Sequence, residues 1–271
     1  MAFYAQFLKD HLIFAHRGVR SEAPENTLLA FEKGLGRTDA FEIDVQLTRD
    51  GVPVVVHDAS LKRTTDILFH PSLYRCKQWK VHQFTLEELR SLDAGSWYLN
   101  QDPFGFLEEV KVDIHELSRA MPQRIPTLQE VLDFAKKHAY PLNIELKMHK
   151  QTPIEEFVES VLHVIDASDC ASLLLISSFD HELLARIKKK APFLATAALM
   201  EVLPDEPLVP YLQALHVEAL HVKHTLVESL PLKELAQADI VVSVFTVNDP
   251  RYMEMLFDLG IKGVFSDVAT Y

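Results

Sequence analysis

The stretch "AFEIDVQLTRDGVPVVVHD", residues 40–58, holds two apolar runs with no room between them for a helix. Residues 40–45 and 52–58 read as strands, and Asp50-Gly51 between them is a strong two-residue hairpin signal. With that loop, Arg49 pairs with Val52 and, counting back in register, Asp44 lies opposite His57, their Cβ atoms about 5 Å apart on one face. The second run is thus a hairpin arm outside the main series of strands. Working outward, eight runs remain: 12–16, 40–45, 142–147, 173–178, 194–199, 218–222, 241–247 and 262–267.

Between these runs, "APENTLLAFEKGL", "PTLQEVLDFAKKH", "TPIEEFVESVLHVID", "DHELLARIKKKAP", "PLKELAQA" and "DPRYMEMLFDLG" carry apolar residues at helical spacing, several with Pro or Asp near the start. Eight helix-linked strands in a parallel sheet are what an α/β fold of the (β/α)8 TIM-barrel type requires. Residues 59–125 break the rhythm, and so long an excursion is read as an insertion subdomain within a single domain spanning 1–271.

The bulk composition fits one large core: 271 residues, 48% hydrophobic. Cys76 and Cys170 lie far apart and form neither a disulfide framework nor a thiolate metal motif. The N-terminus lacks the pattern of a secretory leader, and no apolar run approaches about 18 residues. A soluble, cytoplasmic protein with no stable membrane insertion is expected. The net charge of −12 argues against nucleic acid as a partner, because neutralising many phosphates takes clustered Lys and Arg. One small phosphate ester needs only a few local cations.

Glu42 and Asp44 sit two apart on a strand and leave the same face, and Glu145 and Lys147 repeat the arrangement. On an antiparallel sheet such a face would simply be wet. Inside an α/β barrel neither face is wet except at the C-terminal rim, so acidic pairs near two strand ends point to that rim. Three converging carboxylates repel and raise one another's pKa values, so the arrangement needs a cation beyond Lys147. Oxygen-only ligands suit one divalent Mg²⁺ or Ca²⁺ better than Zn²⁺.

His16 and His57 close the runs "LIFAH" and "VPVVVH", which sets each near a strand tip. A lone histidine there is usually structural. Two of them can divide base and acid duties at neutral pH, since an unperturbed imidazole titrates at ~6.5. Arg17 adds a fixed cation whose planar fork suits two oxygens of one phosphate. No GxSxG elbow or P-loop is present, and "GLGRTD" lacks one glycine of a dinucleotide fingerprint.

These residues fall in blocks, "AHRGVRSEAPENTLLAF" and "FEIDVQLTRDGVPVVVHDASLKRTT", followed by "LRSLDAGSW", "IPTLQEVL", "NIELK", "ISSFD" and "VFTVNDP". In order and over nearly the whole chain, they resemble the glycerophosphodiester phosphodiesterase family. The resemblance implies that Glu42, Asp44 and Glu145 are ligands of the divalent metal, His16 and His57 the catalytic pair, and Arg17 and Lys147 phosphate-binding cations. It also implies that residues 59–125 are the family's insertion, and that Phe245, where the family usually has Trp, lines the substrate pocket as an aromatic wall. The family's closing "TDxP" stands here as Ser266-Asp267 with no proline and no final helix. The N-terminal "AFYAQFLKD" or a partner subunit would cover the last strand, which keeps a homo-oligomer open.

The expected activity is metal-dependent hydrolysis of small phosphodiesters, such as glycerophosphocholine and glycerophosphoethanolamine, to sn-glycerol 3-phosphate and an alcohol. The attacking oxygen is water or the substrate's own glycerol 2-hydroxyl. A lysophospholipase D acting on lysolipids by the same chemistry is the near alternative. A barrel that has lost catalysis and serves as a binding module is the alternative from another class, and the presence of all seven polar residues weighs against it.

Overall fold

The computed structural model describes residues 2–74 and 78–269. Among the described residues nine strands are formed: β1 (Leu12–Ala15), β2 (Ala40–Leu47), β3 (Pro53–Val55), β4 (Leu142–Leu146), β5 (Leu174–Ser178), β6 (Ala195–Met200), β7 (Ala219–Lys223), β8 (Val241–Phe245) and β9 (Gly263–Ser266). All but β3 are parallel, in the order β1-β2-β4-β5-β6-β7-β8-β9, and β9 pairs with β1 to close the barrel. β2 is long enough to serve two neighbours. Its first two residues, Ala40 and Phe41, pair with β1, and its last three reach past β1 and pair antiparallel with β3.

The hairpin register differs by one residue from the sequence expectation. Val45 faces Val55 and Leu47 faces Pro53, so Asp44 lies opposite Val56 and not opposite His57. The loop has three residues, Arg49 to Gly51, because Thr48 N–H donates to the carbonyl of Val52 and Gly51 supplies a positive φ of +78°. The Thr48 hydroxyl fixes this choice, donating to Asp50 Oδ1 at 2.7 Å and accepting from Val52 N–H at 2.9 Å. His57 consequently lies beyond the end of β3.

Strand alternation sorts the side chains into two shells. Ile43, Val45, Ile144, Leu146, Ile176, Leu220 and Val244 point outward and share one apolar cluster with Phe157, Leu183, Leu212 and Leu256 of the surrounding helices. Leu12, Phe14, Leu175, Ala197, Ala219 and Phe265 point inward and fill the barrel floor. A short helix, Ala2–Ala5, closes this floor from below. Phe3 and Tyr4 are buried in the same cluster as Phe265 of β9, so the N-terminal segment covers the last strand from inside the barrel.

Seven helix-bearing connections wrap the barrel. Thr27, Thr127, Asp180 and Asp249 cap helices Leu28–Gly34, Leu128–His138, His181–Lys190 and Pro250–Asp258, each accepting a bond from a backbone N–H of the first turn. Helix Leu208–Ala214 has no counterpart among the sequence expectations. Pro207 stands at its N-cap and Pro210 in its first turn, where a proline lacks only an N–H that the helix would leave unpaired.

The described residues between 59 and 125 carry only short helices, of at most six residues. Leu61, Ile67, Val81, Phe84, Leu89 and Ile125 form a second cluster with Val54 and Val56 of the hairpin, apart from the barrel core. Cys170 is a buried free thiol, and Cys76 lies outside the described residues. Among the described residues no helix is long and apolar enough to cross a membrane.

Candidate active site

The parallel register of β2 and β4 sets Asp44 beside Glu145 and Glu42 beside Asn143, all facing inward at the upper end of the barrel. Glu42, Asp44 and Glu145 thereby each bring a carboxylate oxygen within 4.8 Å of the other two, the one such group of potential ligands among the described residues. Glu42 and Asp44 are 3% and 1% exposed. Burial, reinforced by Asp44 and Glu145, raises the pKa of Glu42 well above the usual carboxylate range. Burial also raises that of Glu145. For Asp44 burial acts in the same direction, but Lys147 and Arg17 outweigh it and hold the group well below its usual value.

The existing cations only partly neutralise this cluster. Lys147 Nζ lies 2.6 Å from Glu145 Oε1 and 3.2 Å from Asp44 Oδ1. Arg17 Nε lies 3.4 Å from Asp44 Oδ2, and Arg17 N–H donates to Glu42 Oε2 at 2.8 Å. Glu42 Oε1 and Asp44 Oδ1 are buried and accept no hydrogen bond. Two buried acceptors of this kind, in a set of oxygen donors alone, fit a hard divalent cation.

The turn after β1 aims these groups. Arg17 and Gly18 both have positive φ, +59° and +75°, which swings the Arg17 amide toward Glu42. Gly18 is held against the helix Leu28–Gly34, where a Cβ would sit 2.7 Å from that of Ala30. The next turn separates the two residues of "NT". Thr27 caps the helix, whereas Asn26, at φ +57°, donates from Nδ2 to Asp44 Oδ2 at 2.8 Å and accepts from Asp44 N–H at 3.3 Å. Asn26 therefore positions a carboxylate of the cluster.

His16 and His57 line the same cleft. Each ring is held at Nδ1 by a carboxylate: His16 by Asp267 Oδ1 and His57 by Asp58 Oδ1, both at 2.7 Å. A carboxylate at Nδ1 keeps the proton there and turns Nε2 outward as the reactive nitrogen. Burial lowers the pKa of His16, against the opposing pull of Asp267. Burial would raise Asp267, but its bond to His16 and the charge of Arg20 bring it down to about 2.

A buried carboxylate ties both histidine pairs together. Glu25 accepts from Arg17 Nη1 at 2.9 Å and from Arg63 Nη1 and Nη2 at 2.8 and 2.7 Å, with Arg20 Nη2 at 3.3 Å. Arg63 donates from Nε to Asp58 Oδ2 at 2.8 Å, and Arg20 stands 3.6 Å from Asp267. Burial would raise the pKa of Glu25, but these three guanidiniums hold it at about 2.

All eight expected site residues thus meet at one end of the barrel. Glu42, Glu145, His16, His57, Arg17, Lys147 and Phe245 line the cleft, and Asp44 lies buried beneath them. Arg17 is engaged with Glu25 and Asp44, and its exposure is only 9%, so it offers little more than one edge of its guanidinium. The sequence reading missed Asp58, Asp267 and Glu25 as partners of the site. "HD" at 57–58 and "PEN" at 24–26 were visible signals, while the bond between His16 and Asp267 spans 251 residues and appears only once the barrel closes.

The chain's likeness to known proteins follows the same residues. A model of the Glycerophosphoryl diester phosphodiesterase family matches residues 16–270. A glycerophosphodiester phosphodiesterase of Bacillus altitudinis is 32% identical over 262 residues, 94% of each chain. Among solved structures, a phosphodiesterase of Oleispira antarctica in complex with the product sn-glycerol-3-phosphate superposes with a TM-score of 0.75 at 28% identity, covering 94% of this chain and 92% of that one. A glycerophosphodiester phosphodiesterase of Thermotoga maritima gives 0.67 at 26% identity, over 97% of each chain.

Proposed function

The chain belongs to the glycerophosphoryl diester phosphodiesterase family, and we propose that it cleaves small glycerophosphodiesters, such as glycerophosphocholine and glycerophosphoethanolamine, to sn-glycerol 3-phosphate and a free alcohol with one divalent cation, Mg²⁺ or Ca²⁺. The observation that carries the cation is the buried carboxylate cluster with two oxygens that accept no hydrogen bond. Glu42, Asp44 and Glu145 would hold it. Once bound, it would supply Lewis-acid stabilisation of phosphate oxygens and of the charge that develops on them.

The protein's own groups account for the proton transfers. His16, kept neutral by burial and bonded through Nδ1 to Asp267, is suited to take the proton of the attacking hydroxyl at Nε2. As the bond from phosphorus to the alcohol oxygen breaks, His57 is suited to protonate the leaving alkoxide, with Asp58 stabilising the charged ring. Lys147 and the free edge of Arg17 face the charge that grows at phosphorus. Residues 59–125 are proposed as an inserted subdomain, and their separate apolar cluster supports that reading. The buried free thiol of Cys170 supports a cytoplasmic location.

A product assay over a panel of diesters tests the reading. The expected result is sn-glycerol 3-phosphate plus alcohol, with a transient cyclic glycerol phosphate if the 2-hydroxyl attacks and none if water does. Release of the phosphorylated alcohol with free glycerol, or no release from any diester, would overturn it.

A further inference from the structure

Across the cleft from the carboxylates, the far wall is built from three strand ends. Phe179 follows Ser178 of β5, Glu201 follows Met200 of β6, and Phe245 ends β8; all three line the cleft. They continue the inward alternation of Leu175, Ala197 and Ser243 on their strands. The two rings meet edge to face with centroids 5.9 Å apart, and Phe179 is 45% exposed.

Glu201 stands apart from the other carboxylates of the cleft. Glu42 and Glu145 are engaged by Arg17 and Lys147, whereas no hydrogen bond or ion pair engages Glu201 among the described residues. Lys223 stands between Glu201 and Phe245 in strand register, since Met200 pairs with Val222 and Lys223 with Phe245, yet it forms no ion pair with Glu201 among the described residues and does not line the cleft. A carboxylate without an ion-pair partner that lines the same cleft as two aromatic rings attracts an organic cation into that cleft through charge and through the ring quadrupoles. The same carboxylate repels a diester whose only charge is its phosphate, in a chain that already carries a net charge of −12.

We propose that Glu201, Phe179 and Phe245 form a subsite for a cationic alcohol group on the diester, of the trimethylammonium or primary ammonium kind, so that zwitterionic diesters are preferred over anionic ones. This rests on the phosphodiesterase reading, with the phosphate held near Lys147 and Arg17 and the alcohol arm lying against the far wall. Glu201 acts here as a specificity residue. It takes no part in bond breaking.

The test compares kcat/KM for glycerophosphocholine with that for glycerophosphoglycerol in wild type, Glu201→Gln and Glu201→Lys. In wild type the choline diester is expected to lead by about ten-fold, Glu201→Gln to shrink the ratio by about five-fold, and Glu201→Lys to bring it below one. A wild-type ratio near one, or a ratio that neither variant moves, would overturn the subsite while leaving the hydrolase intact. Calorimetric titration with tetramethylammonium gives an answer independent of turnover. Saturable binding that weakens several-fold in Glu201→Gln supports the subsite even if no diester is cleaved, in which case only the activity reading fails, and absence of binding in wild type overturns the subsite.

Discussion

Replacing Glu25 with glutamine probes the charge network that steadies both histidines. The carboxylate is almost wholly buried among three guanidiniums, and its pKa falls from an ordinary 4.5 to about 2. At 1.36 kcal/mol per tenfold change in proton affinity, that drop is worth about 3 kcal/mol of folding stability at neutral pH. The folded-state value is depressed, so this stabilisation is complete above about pH 4.5 and is lost as the pH falls toward 2. Urea denaturation at pH 7 should find Glu25→Gln less stable than wild type by about 3 kcal/mol. The gap should narrow by about 1.5 kcal/mol by pH 3.5, because the remaining carboxylates titrate in both proteins and cancel in the difference. Turnover should fall about ten-fold as Arg63 loses its anchor and Asp58 no longer fixes His57. A gap below about 1 kcal/mol at pH 7, or one that widens on acidification, would refute the reasoning.

Three further outcomes follow from the same geometry. His16→Ala and His57→Ala should each lower turnover by about 10² to 10⁴ with an unchanged circular dichroism spectrum; normal rates in both would end the acid–base assignment. Asp267→Asn and Asp58→Asn leave each ring in place but remove the charge at Nδ1, so turnover should drop about 10- to 100-fold. Wild-type activity in those two variants would show that the carboxylates do not govern the rings. Gly18→Ala places a methyl 2.7 Å from Ala30 Cβ at a φ of +75°, and should cost about 2–4 kcal/mol of stability in a thermal melt. An unshifted Tm would mean the turn after β1 is not as tight as described.

The barrel was legible because its strands are buried on both faces while its helices repeat every 3.6 residues, and those two patterns do not resemble each other. Setting aside the hairpin arm left the right eight strands. The hairpin register was not legible, because the Thr48 hydroxyl converts a two-residue loop into a three-residue one, and side-chain bonds of that kind leave no periodic trace. Glu42, Asp44 and Glu145 could be found from strand parity alone. Their partners could not be found in that way. Asp267 reaches His16 only through closure of β9 on β1, and Glu25 gathers Arg17, Arg20 and Arg63 through a turn whose path depends on positive φ at Arg17 and Asn26. Asn26 and Thr27, equivalent as helix-start residues in sequence, divide between a carboxylate and a cap once the turn is built.

The central claim is cation-assisted cleavage at the carboxylate cluster, and its most direct test is sn-glycerol 3-phosphate release from glycerophosphocholine by protein stripped with EDTA, before and after adding Mg²⁺ or Ca²⁺, alongside Asp44→Asn. The account predicts no release without cation, recovery on addition for wild type, and at most weak recovery for Asp44→Asn. Full release in chelator, or equal recovery by the variant, would contradict it.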